Sequence, residues 1–205
     1  MLHNPDYDLT DVGVLRDLVR ANPWVTMITA IGEGTPVISH LPVLLEDDAE
    51  GISVVGHLGR PDDRSHRLGK VDTTLVVYGP HGYVSPTWYG VGGYVPTWNY
   101  VVAHLTGRPQ VLDADETFDV LRRTCDRFED ERPEPWRLAT EESYARRIAP
   151  ATAGFRLVAT RIEAKAKLSQ DKPAEVAARV VAALDDDPVH AQPALAEAMR
   201  ALSPR

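Results

Sequence analysis

Apolar residues along the chain follow two periods, which separate a strand-rich part from helical parts on either side. Short apolar runs bounded by turn residues predict five strands. They cover Trp24 to Ala30, Pro36 to Leu45, Ile52 to Leu58, Thr73 to Tyr78 and Thr97 to Gly107. The first two flank a glycine-rich turn and predict a β-hairpin, although Pro42 should interrupt hydrogen bonding in its second arm.

Helical spacing precedes and follows this strand-rich part. An N-terminal helix is predicted between Thr10 and Asn22, with one apolar stripe formed by Val14, Leu15, Leu18 and Val19. Asp113 and Glu116 form a capping box for a second helix, whose apolar stripe is Phe118, Leu121, Cys125 and Phe128. This stripe predicts Cys125 on a buried face, as a small core residue.

The C-terminal part predicts one more strand and two helices. From Gly154 to Gln170 the residues alternate, with a charged face formed by Arg161, Glu163, Lys165 and Lys167. The opposite face meets the core, and the alternative to a ligand role for Lys167 is that the charged row is only a solvated strand face. Pro173 and Pro193 fit the first turns of the two helices, with a solvated link at Asp185 to Pro188.

These elements predict a mainly β protein with peripheral helices, of the α+β class. Short strands at this spacing are typical of a barrel or sandwich, and we expect a mostly antiparallel barrel with helices outside it. The 205 residues, 43% hydrophobic and 25% charged, suit one domain over 1–205 with an N-terminal helix and a C-terminal helical appendage.

Composition excludes several classes of protein. The single cysteine excludes an intramolecular disulfide framework, and we expect no metal site built on cysteine. A net charge of -8 offers no basic face for phosphates, so direct DNA binding is disfavoured. The N-terminus has no signal-peptide pattern, and no apolar run is long enough for a membrane span, which predicts a cytoplasmic protein.

The familiar catalytic motifs are absent, but aromatic residues concentrate between Gly79 and Tyr100. No GxGxxG, GxxxxGK[ST], GxSxG or HExxH pattern occurs. Two of the four tryptophans and four of the seven tyrosines lie in that stretch, among prolines and glycines. A flat conjugated ligand needs apolar walls and a few polar donors, which these residues supply. The alternative is that the tryptophans close a barrel end or a subunit interface.

Six motifs occur in order along the chain: SHLP at 39–42, GHL at 56–58, GPHGYVSPTWY at 79–89, VPTWNY at 95–100, GF at 154–155 and EAKAKLSQ at 163–170. This series closely resembles the PaiB family of FMN-binding negative transcriptional regulators. The resemblance implies an FMN-binding split β-barrel of the pyridoxamine phosphate oxidase type, usually a homodimer with flavin sites between subunits. The residues that it assigns to the cofactor are Ser39, His40, His57, Arg60, Ser85, Trp88, Thr97, Trp98, Asn99, Lys167, Ser169 and Gln170.

The chain departs from the family pattern at two places. Asp62 and Asp63 replace an Asn-Pro-x-Trp segment, and Asp171 with Lys172 stands where the family often has Asn-Arg. Asp171 should repel a phosphate, whereas Lys172 could attract it as a point charge.

The resemblance implies a flavin-dependent regulator or oxidoreductase. Two alternatives stay open: a heme-binding enzyme of the same fold, similar to piperazate synthases that form an N–N bond, and a flavin sensor without turnover. In the heme alternative, a neutral imidazole such as that of His57 would ligate the iron.

Overall fold

The computed structural model describes residues 4–32, 34–47 and 50–202. Its strands are β1 Trp24–Thr29, β2 Val37–Leu45, β3 Ser53–Gly59, β4 Thr73–Val84, β5 Thr97–Gly107, β6 Gln110–Val111, β7 Thr152–Val158 and β8 Arg161–Lys167. Its α-helices are α1 Val12–Ala21, α2 Asp62–Ser65, α3 Ala114–Glu129, α4 Glu142–Ile148, α5 Ala174–Asp186 and α6 Pro193–Leu202. Within those ranges, no helix combines the length and apolar character needed to cross a membrane.

The chain forms two compact units. The larger unit consists of residues 12–77 and 104–162, and the terminal unit takes its described residues from 1–11, 78–103 and 163–205. Strands β4 and β5 each contribute residues to both units. The expectation of a single domain over 1–205 stays a prediction.

The larger unit is built on a sheet with the strand order β6-β7-β3-β2-β1-β4. The pairs β1–β2, β1–β4, β2–β3, β3–β7 and β6–β7 are antiparallel, which confirms the predicted hairpin. Strand β2 pairs with β1 up to Pro42 and with β3 from Val43 onward. Pro42 therefore marks the point where β2 changes its partner, since proline has no N–H to donate.

Helix α1 is confirmed but buries a narrower stripe than the one predicted. Leu15, Leu18 and Val19 are buried, whereas Val14 is exposed. Successive residues of an α-helix are about 100° apart around its axis, which places Val14 at the edge of this stripe. The prediction that Val14 belongs to the buried face was therefore wrong.

Helix α3 begins with the predicted capping box but buries a different face from the one expected. The Glu116 amide donates to Asp113 at 2.9 Å, and the Asp113 amide donates to Glu116 at 3.1 Å. Thr117 is buried, whereas Cys125 is half-buried and Phe128 is exposed. The prediction that Cys125 and Phe128 lie on the buried face was therefore wrong.

A glycine explains which face of α3 is buried. A Cβ atom on Gly154 would lie 2.6 Å from the Thr117 hydroxyl oxygen, and the Gly154 amide donates to that oxygen at 3.2 Å. Because glycine allows this close approach, helix α3 packs against β7 with the face that contains Thr117.

The strand predicted from Gly154 to Gln170 is in fact two strands, β7 and β8. The break falls at Ala159 and Thr160, whose amides donate to the carbonyls of Ile52 and Thr106, each at 2.9 Å. Ile52 directly precedes β3, the strand that pairs with β7, whereas Thr106 lies in β5. The chain therefore leaves β3 between Ala159 and Thr160, before β8 begins.

The charged face of β8 is not fully solvated. Lys165 is buried, and its backbone forms an antiparallel bridge with Asp8. The Leu9 amide also donates to the Ala164 carbonyl at 3.1 Å, so the N-terminal segment runs along the strand. The alternative of a merely solvated strand face therefore fails for Lys165, because the segment beside it comes from the opposite end of the sequence.

In the terminal unit, β4 continues beyond the predicted end at Tyr78 to Val84. Much of the stretch that looked irregular in sequence is thus regular strand. Both C-terminal helices are confirmed, with buried faces formed by Val176, Val180, Leu184, Leu195, Ala196 and Met199. Gly82 lets α6 pack closely, since a Cβ there would lie 3.1 Å from Leu195.

Candidate functional site

The residues assigned to the cofactor divide between the two units. Those in the larger unit are Ser39, His40, His57 and Arg60. Those in the terminal unit are Ser85, Trp88, Thr97, Trp98, Asn99, Lys167, Ser169 and Gln170. Most of the assigned side chains thus come from one compact unit.

In the terminal unit, a 3-10 helix at Pro86–Tyr89 follows β4 directly. The Ser85 hydroxyl accepts from the Thr87 amide at 3.3 Å, and Pro86 occupies the first turn. Gly90 ends the helix with φ +68°. Ser85 therefore acts as the N-cap that fixes the direction of the segment carrying Trp88.

Tyr83 is the centre of an aromatic cluster formed with Trp88, Trp98 and His190. Its ring lies 6.5 Å from Trp88 and 6.4 Å from Trp98, both edge to face, and 5.1 Å from His190. Trp98 also stacks on His81 at 6.1 Å, and half of its surface remains exposed. Trp98 is consequently a ring of this cluster that a flat ligand can reach.

Trp88 is oriented by an acidic residue from the predicted solvated link. Its indole nitrogen donates to the Asp187 carboxylate at 3.1 Å, and the same carboxylate accepts from the amides of Val189 and His190. These amide bonds lower the pKa of Asp187. The prediction that this acidic run is only a solvated link was wrong for Asp187, which holds the tryptophan in place.

Four polar residues of β5 and the end of β8 form a second group, the polar cluster: Thr97, Asn99, Lys167 and Ser169. The Lys167 ammonium donates to the Thr97 hydroxyl, and the Asn99 amide donates to the Ser169 hydroxyl at 2.8 Å. Ser169 is buried and has φ +62°, which marks a sharp turn at the end of β8. The two hydrogen bonds join this turn to the beginning of β5.

The polar cluster has the donors that a phosphate group requires. Both hydroxyl oxygens accept a hydrogen bond, so each keeps its own proton for donation to an anion. Burial lowers the pKa of Lys167, while the nearby Asp171 carboxylate opposes that effect. An anion beside this ammonium would compensate for its lost hydration. The residues present therefore fit the phosphate of FMN.

One buried acceptor in the polar cluster has no partner within the described part of the chain. It is Oδ1 of Asn99, a residue with no exposed surface. The amide nitrogen of Asn99 also lies 3.6 Å from the sulfur of Met199. Asn99 therefore supports the turn at Ser169 from the interior of the unit.

The polar groups of Gln170 and Lys172 bond to other residues of the chain. The Gln170 amide accepts from Leu168 at 2.7 Å and donates to the carbonyls of Ala166 and Asp6 at 2.6 and 3.1 Å. The Lys172 ammonium pairs with the Asp171 carboxylate. Gln170 thus holds the turn, and its contact with a ligand stays a prediction.

In the larger unit, two predicted histidines have different surroundings. The His40 ring is exposed and bonds to the Thr26 hydroxyl at 3.1 Å. His57 is half-buried on β3, and its Nδ1 has no partner among the described residues. Burial lowers the pKa of His57 and so favours the neutral ring.

Arg60 is neutralised by one of the acidic residues that replace the family segment. Its guanidinium pairs with Asp63 and also donates to the Pro150 carbonyl at 3.2 Å. At both places where the chain departs from the family pattern, an acidic residue pairs with a cation that the sequence analysis considered for the phosphate: Asp63 with Arg60, and Asp171 with Lys172. Lys167 differs from those cations because it donates to a hydroxyl.

Sequence reasoning missed His66, which is fully buried in the larger unit. Its Nε2 lies 2.9 Å from the Ser39 hydroxyl, and its Nδ1 lies 2.8 Å from the Thr29 hydroxyl. Both partners are distant in sequence, so no local pattern reveals them. The one local signal is the place of His66 just after the segment that departs from the family.

Two solved structures share this fold. The FAD and heme binding protein from Mycobacterium smegmatis has a TM-score of 0.60 at 21% identity, covering 83% of this chain and 79% of that chain. The flavocytochrome Anf3 from Azotobacter vinelandii has a TM-score of 0.58 at 21% identity, covering 82% of this chain and 73% of that chain. The fold class predicted from the sequence, a mainly β split barrel with peripheral helices, is confirmed.

The sequence shows the family. The family model described as "Putative FMN-binding domain" matches residues 1–161, and the chain belongs to this family. A relative, the protease synthase and sporulation protein PAI 2 of Bacillus subtilis, is 28% identical over 170 residues. That match covers 81% of this chain and 80% of the relative, and it confirms the resemblance to PaiB. Lys167 and Ser169 lie beyond the range that the family model matches.

Proposed function

We propose that the protein binds FMN, with the phosphate at the polar cluster and the isoalloxazine ring against Trp98. The observation that carries this proposal is the hydrogen bond from the half-buried ammonium of Lys167 to the Thr97 hydroxyl, with a second hydroxyl, that of Ser169, bonded to Asn99 two residues further along β5. FMN joins a flat conjugated ring to a phosphate, so it needs one aromatic surface and one cationic surface. The terminal unit contains both.

The bound flavin would supply electron-transfer chemistry, and the residues of the chain would bind and orient it. Lys167 neutralises phosphate charge, and the hydroxyls of Thr97 and Ser169 donate to phosphate oxygens. Trp98 covers one face of the ring. Tyr83 holds Trp98 in position through its edge-to-face contact.

A redox role best suits a protein with a bound flavin. The protein would be either a flavin-dependent oxidoreductase or a regulator that responds to the state of its flavin. The relative PAI 2 is named for protease synthesis and sporulation, which fits a regulatory role. With a net charge of -8, the chain would exert such a role through another protein or a metabolite instead of direct DNA contact. A flavin sensor differs from both because it catalyses no electron transfer.

The visible absorption spectrum tests the cofactor. We expect the purified protein, after incubation with FMN and removal of free ligand, to retain the spectrum of oxidised flavin. A parallel sample incubated with hemin serves as the comparison. Failure to retain FMN, together with a strong Soret band in the hemin sample, would contradict the proposal and favour heme.

Heme is the second candidate, because the buried Nδ1 of His57 has no partner in the described ranges. The neutral imidazole favoured by burial is the form that ligates heme iron. Under this alternative, His57→Ala should weaken hemin binding about tenfold and leave FMN affinity unchanged. His104→Ala, which removes another half-buried histidine from the same unit, is the matched control. Equal hemin affinity in the wild type and both variants would exclude His57 as the ligand.

We also propose that the protein is a homodimer whose interface includes part of the Trp88 to Tyr100 region. Val91, Val95 and Trp98 are 49%, 75% and 50% exposed, which leaves apolar surface available for a partner subunit. Multi-angle light scattering at micromolar concentration should give twice the chain mass of 22.6 kDa. A mass equal to one chain would contradict this proposal.

A further inference from the structure

A cleft of about 320 Å³ in the larger unit is lined by residues of α1, β2 and α3 and of the segments beside them. Its apolar lining comes mainly from β2, with Val43, Leu44 and Leu45. Its charged lining consists of three arginines and three aspartates: Arg20, Arg123, Arg127, Asp47, Asp126 and Asp130. We call it the arginine cleft. The residues assigned to the cofactor are not among those that line it, and its volume is usual for a small-molecule site.

The packing of α3 turns two arginines toward β2. Val120 of α3 and Leu44 of β2 belong to one buried cluster. Arg123 and Arg127 follow Val120 by three and seven residues, which places them on the same face of the helix. Arg123 is half-buried and Arg127 is exposed. The two guanidinium groups therefore lie beside the apolar residues of β2, where both line the cleft.

The opposite wall of the arginine cleft is held by arginines of α1. The Arg16 guanidinium donates to three carbonyl groups after β2, those of Glu46, Asp47 and Gly51, at 3.0, 2.9 and 2.8 Å. Arg20 pairs with the carboxylate of Asp47 at 2.9 Å. These bonds fix the segment that follows β2 against α1, and they neutralise one of the three acids of the cleft.

The other two acids of the cleft, Asp126 and Asp130, have arginine partners as well. Asp126 accepts from Arg122 at 2.9 Å and from Arg137 at 3.2 Å. Asp130 pairs with Arg137 at 2.6 Å. Arg122 and Arg137 are not among the residues that line the cleft. The acids are thus neutralised by cations that lie outside it.

The two arginines that α3 presents to the cleft have weaker partners among the described residues. Arg123 lies 3.9 Å from Asp119, which is beyond hydrogen-bond distance. Arg127 lies 3.5 Å from Glu131, which is 86% exposed, and such a solvated pair contributes little. Arg123 also acts at longer range on Glu46, whose carboxylate already accepts from two other side chains. Both guanidinium groups therefore keep donors for a further anion.

We propose that the arginine cleft binds a small organic carboxylate with an apolar body, at a site separate from the flavin. Guanidinium groups one helical turn apart can hold a carboxylate, since each offers parallel N–H donors. The aliphatic side chains of β2 contact the apolar body, which an inorganic anion lacks. The lining carries three positive and three negative charges, so a monoanion is favoured over a doubly charged phosphate.

Amide chemical shifts in the NMR spectrum of the full chain locate the ligand, with hexanoate as the probe. We expect saturable shifts that concentrate in β2 and at residues 123–127 of α3. Hexanamide has the same apolar chain without the charge, and it should bind at least about tenfold more weakly. Absence of saturable shifts, shifts mainly in the terminal unit, or equal affinity for hexanamide would each overturn the proposal.

Substitution of the arginines measures their share of the binding. Arg123→Gln and Arg127→Gln should each weaken hexanoate binding about five- to tenfold, the effect of one lost charge-assisted hydrogen bond. Arg123→Lys keeps the charge without the planar fork, so its affinity should fall between those of the wild type and Arg123→Gln. Arg108→Gln is the matched control, because it removes the same charge from an exposed position of the same unit. Hexanoate affinities equal to that of the control in both glutamine variants would contradict the assignment.

FMN titration of Arg123→Gln separates this inference from the proposed function. Its FMN affinity should stay within about twofold of the wild type, since a charge that does not touch the ligand is screened by salt. Competition between FMN and hexanoate, with equal losses of both affinities in Arg123→Gln, would show one shared site and overturn the inference. A wild-type protein that retains no FMN contradicts the proposed function alone, because hexanoate binding does not involve the flavin.

Discussion

Replacing Lys167 by alanine is expected to weaken FMN binding by about 1–3 kcal/mol, which is roughly 5- to 150-fold in Kd. The ammonium is half-buried beside the hydroxyl of Thr97, so a phosphate there would gain a charge-assisted hydrogen bond partly shielded from water. Quenching of flavin fluorescence during titration measures the affinity.

Lys70→Ala is the matched control, because it removes the same charge from an exposed position of the larger unit. It should leave FMN affinity within about twofold of the wild type, since salt screens a charge that does not touch the ligand. If Lys167→Ala binds FMN as tightly as this control does, the phosphate does not lie at the polar cluster.

Replacing Gly107 by alanine is expected to lower the free energy of unfolding by about 3 kcal/mol. A Cβ at this position would overlap the backbone oxygen of Val158 and lie 3.3 Å from its carbonyl carbon. The obstacle is backbone, so no side-chain rotation can relieve it, and the end of β5 must move away from the end of β7. Urea unfolding followed by circular dichroism measures the loss.

Gly59→Ala provides the control for this substitution. Gly59 also ends a strand, but a Cβ there would meet nothing within 4 Å. Its unfolding free energy should change by less than about 0.5 kcal/mol. Equal stabilities of the two variants would show that the close approach of Gly107 to Val158 does not occur in solution.

The aromatic stretch shows how far local sequence leads. A Ser85-Pro86 start and a Gly90 end are typical of a short turn, and the structure has a 3-10 helix between them. The sequence did not show that β4 would continue to Val84. Glycine and proline weaken strand propensity, and partner strands decide whether a weak segment joins the sheet.

Structural features that depend on about a dozen consecutive residues could be predicted from the sequence alone. The hairpin of β1 and β2, the capping box at Asp113 and the buried faces of α5 and α6 are set by side-chain period and capping. The motifs between Ser39 and Gln170 also identified the family, because the residues of each motif are consecutive in the chain.

Which charges and polar groups meet depends on the tertiary structure. Asp63 neutralises Arg60, Asp187 orients Trp88, and the hydroxyl of Ser39 meets the ring of His66. The last two contacts join residues far apart in sequence, and hydrogen bonds carry no periodic signal along the chain. Their partners are therefore fixed by how strands and helices pack, which sequence period does not specify.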